Sequence, residues 1–522
     1  MKTVKKIRLS NFKKFEHFEI DFNEKMNILI GDNEAGKSSV LLALDLVLSG
    51  SKGKVETLGI ESLLNTRCVE RFLTGKKKFD DLPVMYVEVF LNEQNNPDLF
   101  GKCNSKATNC DGLRLTCEPI QEYEREILTI LAQEGDNFPY EYYAIRFSTF
   151  SDQAYSGYSR FVRHLVIDSS QINNEYATRE YTKSIYSANA DTLQKYKYQN
   201  EYRKHKGNFR DLILNELNDK LEEYKFSVRN NSKSNLETDL VITEDGIPID
   251  NKGKGKQCLI KTEFALRKND GIDRIDSLLL EEPENHLSHV NTKKLIKRIE
   301  SSKTKQIFIA THNNLICTRL DLRSTIMLNS NGASPLVLGT LAEDTANFFM
   351  KAPDNNILEF ILSKKVILVE GDAEFILIEA LYRKVVPGGT PEADDVHVIS
   401  VGGTSFKRYL ELAKILKIRT AVVRDNDGEY QKNCIDGYAG HLADHIKVFS
   451  DPDDRRHTFE VCFYQDNTEV CDELFKAGRR TLTVQDYMIS NKADVAFELL
   501  DKKATELNAP KYIQEAIEWV RA

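Results

Sequence analysis

A glycine-rich stretch near the N-terminus has the residue types and spacing that bind phosphate. The apolar run Asn27–Ile30 leads into Gly31–Ser39, which has the pattern G-x-x-x-x-G-K-S, and an apolar pattern with helical spacing extends from Val40 to Leu48. A loop between a strand and a helix offers backbone N–H groups to anionic oxygens. We expect Lys37 to reach the β- and γ-phosphates of ATP and Ser38 to help hold Mg²⁺. The predicted nucleotide-binding residues of this loop are Gly31, Asn33, Gly36, Lys37, Ser38 and Ser39.

Acidic residues that complement such a loop follow a later apolar run. Ser277–Leu280 ends at Glu281 and Glu282, where a strand is expected to run out. We expect Glu281 to associate with Mg²⁺, in both metal and nucleotide binding, and Glu282 to be the catalytic base that polarises water. His312 follows a further apolar run and is expected to contact the γ-phosphate. Their order after the phosphate-binding loop predicts an ATPase.

A second group of carboxylates lies in the C-terminal part of the chain. Its members are Glu370, Glu374, Asp425 and Asp427. They follow two apolar runs, Val366–Val369 and Ala421–Val423, and the carboxyl ends of parallel strands are where ligands and metals gather. Four hard oxygen donors suit Mg²⁺ or Mn²⁺. A pair of such ions roughly 4 Å apart can activate water and stabilise the leaving oxygen of a phosphodiester. The pattern therefore predicts a metal-dependent catalytic site.

The first set of motifs, with Ala310–His312, resembles the ABC-type ATPase heads of the SMC/RecF kind. In that family the signature loop of one subunit completes the ATP site of another, so the resemblance implies a homodimer or a higher even oligomer. Gly253–Gln257 occupies the place of the signature and departs from its serine-glycine-glycine pattern. Gly255 is the nucleotide contact that the resemblance implies.

The second set resembles the Toprim domain, and an SMC-like ATPase followed by Toprim is the architecture of the OLD-family (overcoming lysogenisation defect) nucleases. By position, the four carboxylates would be metal ligands, Glu460 the family's later acid and Lys492 its catalytic lysine, which neutralises the transition-state phosphate. Gly402 and Gly403 would shape the turn beneath the metals. The resemblance implies an ATP-regulated, Mg²⁺- or Mn²⁺-dependent DNA endonuclease that acts in anti-phage defence, alone or with a helicase-like or retron reverse-transcriptase partner.

Two other functions remain open at the level of sequence. One is an ATP-gated DNA-binding or sensor protein of the RecF type without nuclease activity, against which the intact set of four acids argues. The other is a topoisomerase- or primase-like enzyme, which the missing companion domains disfavour.

The elements that position these residues predict an α/β chain. The expected parts are an ABC ATPase head in two pieces (1–159 and 230–350), a helical insertion between them (160–229) and a Toprim parallel-sheet domain (364–522). The insertion contains long runs of Tyr, Lys, Glu, Asn and Gln with helical spacing. We expect it to mediate dimerisation, and the alternative is a solvated helical hairpin with no partner. A strand is expected at Asp239–Thr243.

Composition sets the remaining limits. The 522 residues are 41% hydrophobic and 29% charged, which suggests two to four soluble domains. No apolar run approaches the roughly 18 residues of a membrane span, and Met1–Lys6 does not lead into a signal-peptide core, so we expect a cytoplasmic protein with no membrane partner. Nine cysteines without paired short spacings predict reduced thiols, and the net charge of −8 does not decide whether the chain binds nucleic acid.

Overall fold

The computed structural model describes most of the chain. The described residues are 2–133, 137–157, 161–170, 175–221, 224–229, 235–266, 275–302, 305–329, 334–352, 356–403, 405–477 and 481–522. They form two compact units, the first built from the residues up to His312 with Ser324–Pro335, and the second from Asn313–Arg323 with Leu336–Ala522. Within the described residues, no helix has both the length and the apolar character to cross a membrane.

The first unit combines an antiparallel sheet, a parallel sheet and eleven described helices. Its strands are β1 Val4–Phe12, β2 Phe15–Asp21, β3 Met26–Ile30, β4 Met85–Leu91, β5 Phe100–Gly101, β6 Cys110–Pro119, β7 Tyr143–Thr149, β8 His164–Asp168, β9 Thr243–Glu244, β10 Ile247–Pro248, β11 Ser277–Glu281, β12 Gln306–Ala310 and β13 Thr325–Met327. Its helices are α1 Lys37–Ser49, α2 Lys52–Leu58, α3 Ile60–Leu63, α4 Thr66–Leu73, α5 Glu124–Leu131, α6 Glu175–Asn189, α7 Thr192–Leu212, α8 Asn215–Asn218, α9 Leu236–Asp239, α10 Lys254–Leu266 and α11 His289–Ser301.

Helix α1 is buried because it is apolar on nearly all sides. It packs against β4 and β6 of the antiparallel sheet and against β8, β11 and β12 of the parallel sheet. The parallel strands lie in the order β13–β3–β12–β11–β8, so the strand before the phosphate-binding loop and the strand before Glu281 are separated only by β12. Asp45 of α1 lies 2.7 Å from Nε2 of His164 on β8, which ties the helix to the edge of this sheet.

The second unit is built on a four-stranded parallel sheet in the order β16–β15–β17–β18. Its strands are β14 Leu336–Val337, β15 Lys365–Val369, β16 Val396–Ser400, β17 Arg419–Val423 and β18 Ile446–Phe449. Its helices are α12 Asn314–Arg319, α13 Glu343–Lys351, α14 Ile357–Leu362, α15 Asp372–Val385, α16 Phe406–Leu416, α17 Phe459–Asp466, α18 Thr468–Phe475, α19 Val484–Ser490, α20 Lys492–Lys503 and α21 Lys511–Arg521. Strands β15 and β17 are central, and four consecutive residues of each are buried, as in parallel strands covered on both faces.

The structure corrects two of the predicted elements. The expected helical insertion 160–229 includes β8, a strand that pairs in parallel register with β11 and whose residues His164, Leu165 and Ile167 are buried. The strand expected at Asp239–Thr243 is wrong over most of its length, since Asp239 ends α9, residues 240–242 are irregular and only Thr243 lies in a strand, β9.

The expected end of the ATPase part, at residue 350, also differs from the division into units. Residues 336–350 belong to the second unit, where the Glu411 carboxylate accepts hydrogen bonds from the backbone N–H of Ala342 and the hydroxyl of Thr345 at 2.7 and 2.5 Å.

Candidate functional site

The phosphate-binding loop lies between β3 and α1, as its sequence context requires. Lys37 is the first residue of α1, and its buried Nζ atom donates to the carbonyl oxygens of Gly31 at 2.8 Å and Asp32 at 3.1 Å. Gly36 has φ 100°, and a Cβ atom there would approach the Phe15 ring to 2.4 Å, so only glycine fits this turn. Asn33 and Ser38 are exposed and Ser39 is half-buried at the start of the helix. The loop thus presents its backbone and hydroxyl groups to a phosphate chain.

Ser38 and Glu281 meet at the end of the parallel sheet. The Ser38 hydroxyl lies close enough to the Glu281 carboxylate to favour its charged form. Burial raises the pKa of Glu281, the Ser38 hydroxyl opposes that shift, and the negative charge of Asp168 adds to it. Asp168 is the residue of β8 that pairs with Glu281 in register. A hydroxyl beside two carboxylates provides hard oxygen donors of the kind that Mg²⁺ binds.

Glu282 and His312 form the second pair of this site. The Glu282 carboxylate oxygen Oε1 lies 3.5 Å from Nε2 of His312. Burial and the neighbouring Glu284 raise the pKa of Glu282 to about 8, while burial and the charge of Lys37 lower the pKa of His312. Glu282 also has φ 44°, a left-handed conformation that is strained for a side chain and is typical of functional sites. A carboxyl with a raised pKa at this position is suited to accept a proton from water.

Gly255 lies in the first turn of α10 and not in a loop. A Cβ atom at this position would come within 2.2 Å of the carbonyl oxygen of His286, so the glycine permits the helix to touch the turn that follows Glu284. The structure therefore gives Gly255 a packing role within its own unit. The nucleotide that Gly255 is expected to contact would have to be bound to a second copy of the chain.

The C-terminal carboxylates lie at the carboxyl ends of β15 and β17. Glu370 follows β15, and its backbone carbonyl accepts a hydrogen bond of 2.9 Å from the N–H of Gly403. Both Gly402 and Gly403 have positive φ. Glu374 lies in the first turn of α15, where its carboxylate accepts from the N–H of Gly371 at 3.2 Å. Burial raises the pKa of Glu374 to about 7, and the charges of Glu460 and Glu370 add to the shift.

Asp425 and Asp427 follow β17 and are held differently. The N–H of Asp425 lies 3.5 Å from the Glu370 carboxylate, and burial with the charges of Glu374 and Glu370 raises the pKa of Asp425 to about 8. Asp427 accepts a hydrogen bond of 3.0 Å from the guanidinium of Arg424 and is about half exposed.

Two residues that hold this turn had no signal in the sequence. Arg424 is buried and also donates to the Asn433 carbonyl and to the hydroxyl of Tyr438, above whose ring its guanidinium lies at 5.5 Å. Asn426 is buried and donates to three carbonyl oxygens further along the chain, those of Asp451, Asp453 and Arg456. Polar residues beside aspartates are common in exposed turns, so only the fold distinguishes Arg424 and Asn426.

Glu460 and Lys492 complete the group. Glu460 is buried in the first turn of α17, and Lys492 begins α20. Their side chains form an ion pair of 3.1 Å. Burial lowers the pKa of Lys492, but the ion pair with Glu460 outweighs this effect, so the pKa is raised. The negative charges of Asp425 and Glu374 contribute to the rise. The structure thus gathers Glu370, Glu374, Asp425, Glu460 and Lys492 around one edge of the sheet.

The chemistry of this group fits a divalent cation. Among the described residues, no three His, Cys, Asp or Glu side chains are already drawn together at metal-holding distances. Nevertheless the Glu460 oxygen Oε2 is buried without a hydrogen-bond partner, and burial together with the negative charge of Glu374 raises the pKa of Asp425. A cation would satisfy the orphaned oxygen and remove the repulsion, and carboxylate oxygens are the ligands that Mg²⁺ and Mn²⁺ prefer.

Two family models match separate parts of the chain. The model described as "Overcoming lysogenization defect protein-like, TOPRIM domain" matches residues 361–427, and that described as "AAA ATPase domain" matches residues 1–111. The first match contains Glu370, Glu374, Asp425 and Asp427, and the second contains the phosphate-binding loop.

Individual proteins match over limited stretches. The RecF protein of Clostridium acetobutylicum is 47% identical over 38 residues, 7% of this chain and 10% of its own length. The curated relatives match over only 6% and 10% of their lengths. The C-terminal region of the Xanthomonas campestris OLD protein is 24% identical, covering 30% of this chain and 94% of that chain with a TM-score of 0.22. The SMC head domain of Thermotoga maritima is 13% identical, covering 64% of this chain and 98% of that chain with a TM-score of 0.30.

The fold, the positions of the motifs and the two matched family models agree. The first unit carries the phosphate-binding loop and the strand-terminal acids of an ATPase head, and the second carries acids at the strand ends of a Toprim sheet. The chain is an ATPase–Toprim fusion with the architecture of the OLD family.

Proposed function

We propose that this protein is an ATP-regulated, metal-dependent DNA endonuclease. The observation that carries the proposal is the convergence of four acids and one lysine at the carboxyl ends of β15 and β17. Such a set combines donors for a cation with a positive charge for a phosphate. The RecF relative is named as a DNA replication and repair protein, which is consistent with DNA as the ligand.

Each side chain would have a defined task. Glu370, Glu374, Asp425 and Asp427 would hold one or two divalent ions, which when bound would activate water and stabilise the leaving oxygen of a phosphodiester. Lys492 would neutralise the charge that develops on the phosphate. Arg424 is a positioning residue, because its hydrogen bond fixes the direction of the Asp427 carboxylate.

The first unit would couple this chemistry to ATP. Lys37 and Ser38 would bind the phosphates and Mg²⁺, with Glu281 beside the ion, Glu282 as the base and His312 near the γ-phosphate. The proposed assembly is a homodimer or a higher even oligomer, in which Gly255 of one copy approaches the nucleotide of another. We place the protein in the cytoplasm as an effector of anti-phage defence, with a helicase-like or retron reverse-transcriptase protein as a possible partner.

A plasmid-cleavage assay tests the proposal. Purified protein is incubated with supercoiled plasmid and Mg²⁺ or Mn²⁺, with and without ATP, beside Glu370→Ala and Lys37→Ala. Asp372→Asn is the matched control, since Asp372 is an exposed acid between Glu370 and Glu374. Cleavage that is lost in Glu370→Ala and kept in Asp372→Asn supports the nuclease. DNA binding that depends on ATP, with no cutting under any condition, would instead support an ATP-gated DNA-binding protein of the RecF type.

A further inference from the structure

Helix α7 is fixed to the first unit along one side only. Tyr202 donates to the Asp239 carboxylate at 2.5 Å, and Lys206 forms an ion pair with the same carboxylate at 3.3 Å. One turn earlier, the side chain of Gln199 accepts a hydrogen bond from the N–H of Leu236. These contacts dock α7 on α9, and none of the 21 residues of α7 is buried. The helix therefore presents its other side to solvent.

The solvent side of α7 is basic. We define the basic face as Tyr196, Lys197, Asn200, Arg203 and Lys204, which lie on one side of the helix because they are spaced three, four and seven apart. All five are exposed, with Tyr196 70% exposed. Within the described part of the chain, no carboxylate forms an ion pair with Lys197, Arg203 or Lys204, and the Arg203 guanidinium is bonded only to the amide oxygen of Asn200, at 2.8 Å.

The net charge of α7 is opposite in sign to the net charge of the whole chain. The helix contains six Lys and Arg residues and two Asp and Glu residues, a balance of +4 in a protein whose net charge is −8. Unpaired cations at a surface are most favourable beside a polyanion, whose condensed counterions they displace. A second copy of the same face would bring like charges together, because a two-fold contact pairs a surface with itself. The basic face lacks aliphatic side chains, which an interfacial membrane helix would need.

We propose that the basic face of α7 binds the phosphate backbone of duplex DNA. The inference rests on the proposed function in taking DNA as the ligand, and it assigns the contact to Lys197, Arg203 and Lys204. The helix is about 30 Å long, by a rise of about 1.5 Å per residue, which is close to one turn of the duplex. Its contribution is independent of base sequence, because it is made to phosphates.

Binding is measured by fluorescence anisotropy with a fluorescein-labelled 30-base-pair duplex in EDTA, between 50 and 200 mM salt. The test variant carries Lys197→Gln, Arg203→Gln and Lys204→Gln. We expect its affinity to fall about tenfold or more, and the slope of log K against log salt to fall by up to about 0.9 for each removed phosphate contact. The matched control carries Lys432→Gln, Lys476→Gln and Lys511→Gln, three exposed lysines each paired with a neighbouring carboxylate. We expect the control to bind like the unmodified chain.

Several results would overturn the inference. They are no binding of the duplex by the unmodified chain, an unchanged affinity and slope in the test variant, or an equal loss in the control. A change of oligomeric state in sedimentation without loss of DNA affinity would assign the face to a second copy. Because EDTA removes the metal, the assay reads DNA binding alone, so an inactive nuclease site would leave the result interpretable. Unchanged ATP binding in the test variant verifies that its first unit is folded.

Discussion

The Nζ atom of Lys492 lies 3.1 Å from Oε1 of Glu460. The lysine side chain is 51% exposed and the glutamate side chain 4% exposed, so the pair spans from the surface to the interior of the second unit. The other carboxylate oxygen of Glu460 is buried without a partner. One lysine therefore neutralises a buried acid, and the negative charges of Asp425 and Glu374 also act on it.

Replacing Lys492 separates its two roles. Lys492→Met should abolish cleavage and lower the free energy of unfolding by about 1 kcal/mol or more, because it leaves the buried Glu460 charge unpaired. Lys492→Arg should keep the stability while losing much of the activity, because the planar guanidinium group of arginine places its positive charge differently from the ammonium group of lysine. Urea unfolding and plasmid cleavage measure the two effects, and equal activity in both variants and the unmodified chain would contradict the role of Lys492.

Substitutions in the phosphate-binding loop and at the proposed base should separate ATP binding from ATP hydrolysis. Lys37→Ala should abolish ATP binding, because Lys37 supplies the charge that meets the phosphates. Glu282→Gln should bind ATP normally and release phosphate at least 100-fold more slowly, since the amide does not accept a proton. Binding of a fluorescent ATP analogue and phosphate release provide the readouts. Normal hydrolysis by Glu282→Gln would exclude Glu282 as the base.

Divalent cations should stabilise the second unit through its acids. Mn²⁺ at about 100 times its dissociation constant should add about 2.7 kcal/mol to the free energy of unfolding. Asp425→Asn should lose most of this gain, because it removes a buried donor, whereas Asp372→Asn should retain it. Thermal unfolding with and without Mn²⁺ measures the difference. A full gain in Asp425→Asn would place the cation elsewhere.

The contact between α10 and His286 predicts a packing defect at Gly255. Gly255→Ala should destabilise the first unit by about 1–3 kcal/mol, because its Cβ atom would meet a backbone carbonyl that cannot rotate away. Gly253→Ala is the control, since a Cβ atom there would have nothing within 4 Å. Thermal unfolding of both variants tests the difference. Equal stability would show that α10 shifts to accept the methyl group.

Stability at acidic pH should depend on Glu19 in β2. Hydrogen bonding to Arg8 lowers the pKa of Glu19 to about 2, from an ordinary value of 4.5, and Lys6 contributes to the same shift. A lowered folded-state pKa stabilises the fold above pH 4.5, and the contribution is lost as the pH falls from 4.5 towards 2. Because the side chain is 35% exposed, solvent screening limits this to about 1 kcal/mol. Glu19→Gln should therefore be less stable than the unmodified chain at pH 7 in urea unfolding, and the two should converge towards pH 2.

The sequence predicts features that are formed by neighbouring residues, but it does not predict contacts between segments that are distant along the chain. The phosphate-binding loop is contiguous, so β3, its glycines and the start of α1 follow from the spacing of neighbouring residues. Strand β8 was missed because its five residues stand among polar helical segments and its pairing partner, β11, lies more than 100 residues away. Asp168 was missed together with this strand, because it lies beside Glu281 only through the pairing of β8 with β11.

The second site shows the same limit. The acids after β15 and β17 could be predicted because each follows its own apolar strand. The closeness of Glu460 and Lys492 depends on how α17 and α20 pack, which neither helix encodes by itself; their assignment came only from the resemblance. Gly255 illustrates the converse, since the Gly/Lys-rich segment in the place of the signature loop forms the first turn of a helix.

The side chain of Asn426 has a consequence for the order in which the protein folds. Its amide closes the turn between Asp425 and Asp427 by bonding to carbonyl groups 25, 27 and 30 residues further along the chain. The turn therefore cannot reach its final shape until β18 and the loop after it have formed. During synthesis from the N-terminus, the acids of this turn would be made early but aligned late, so the proposed cleavage site would form only after most of the second unit has emerged.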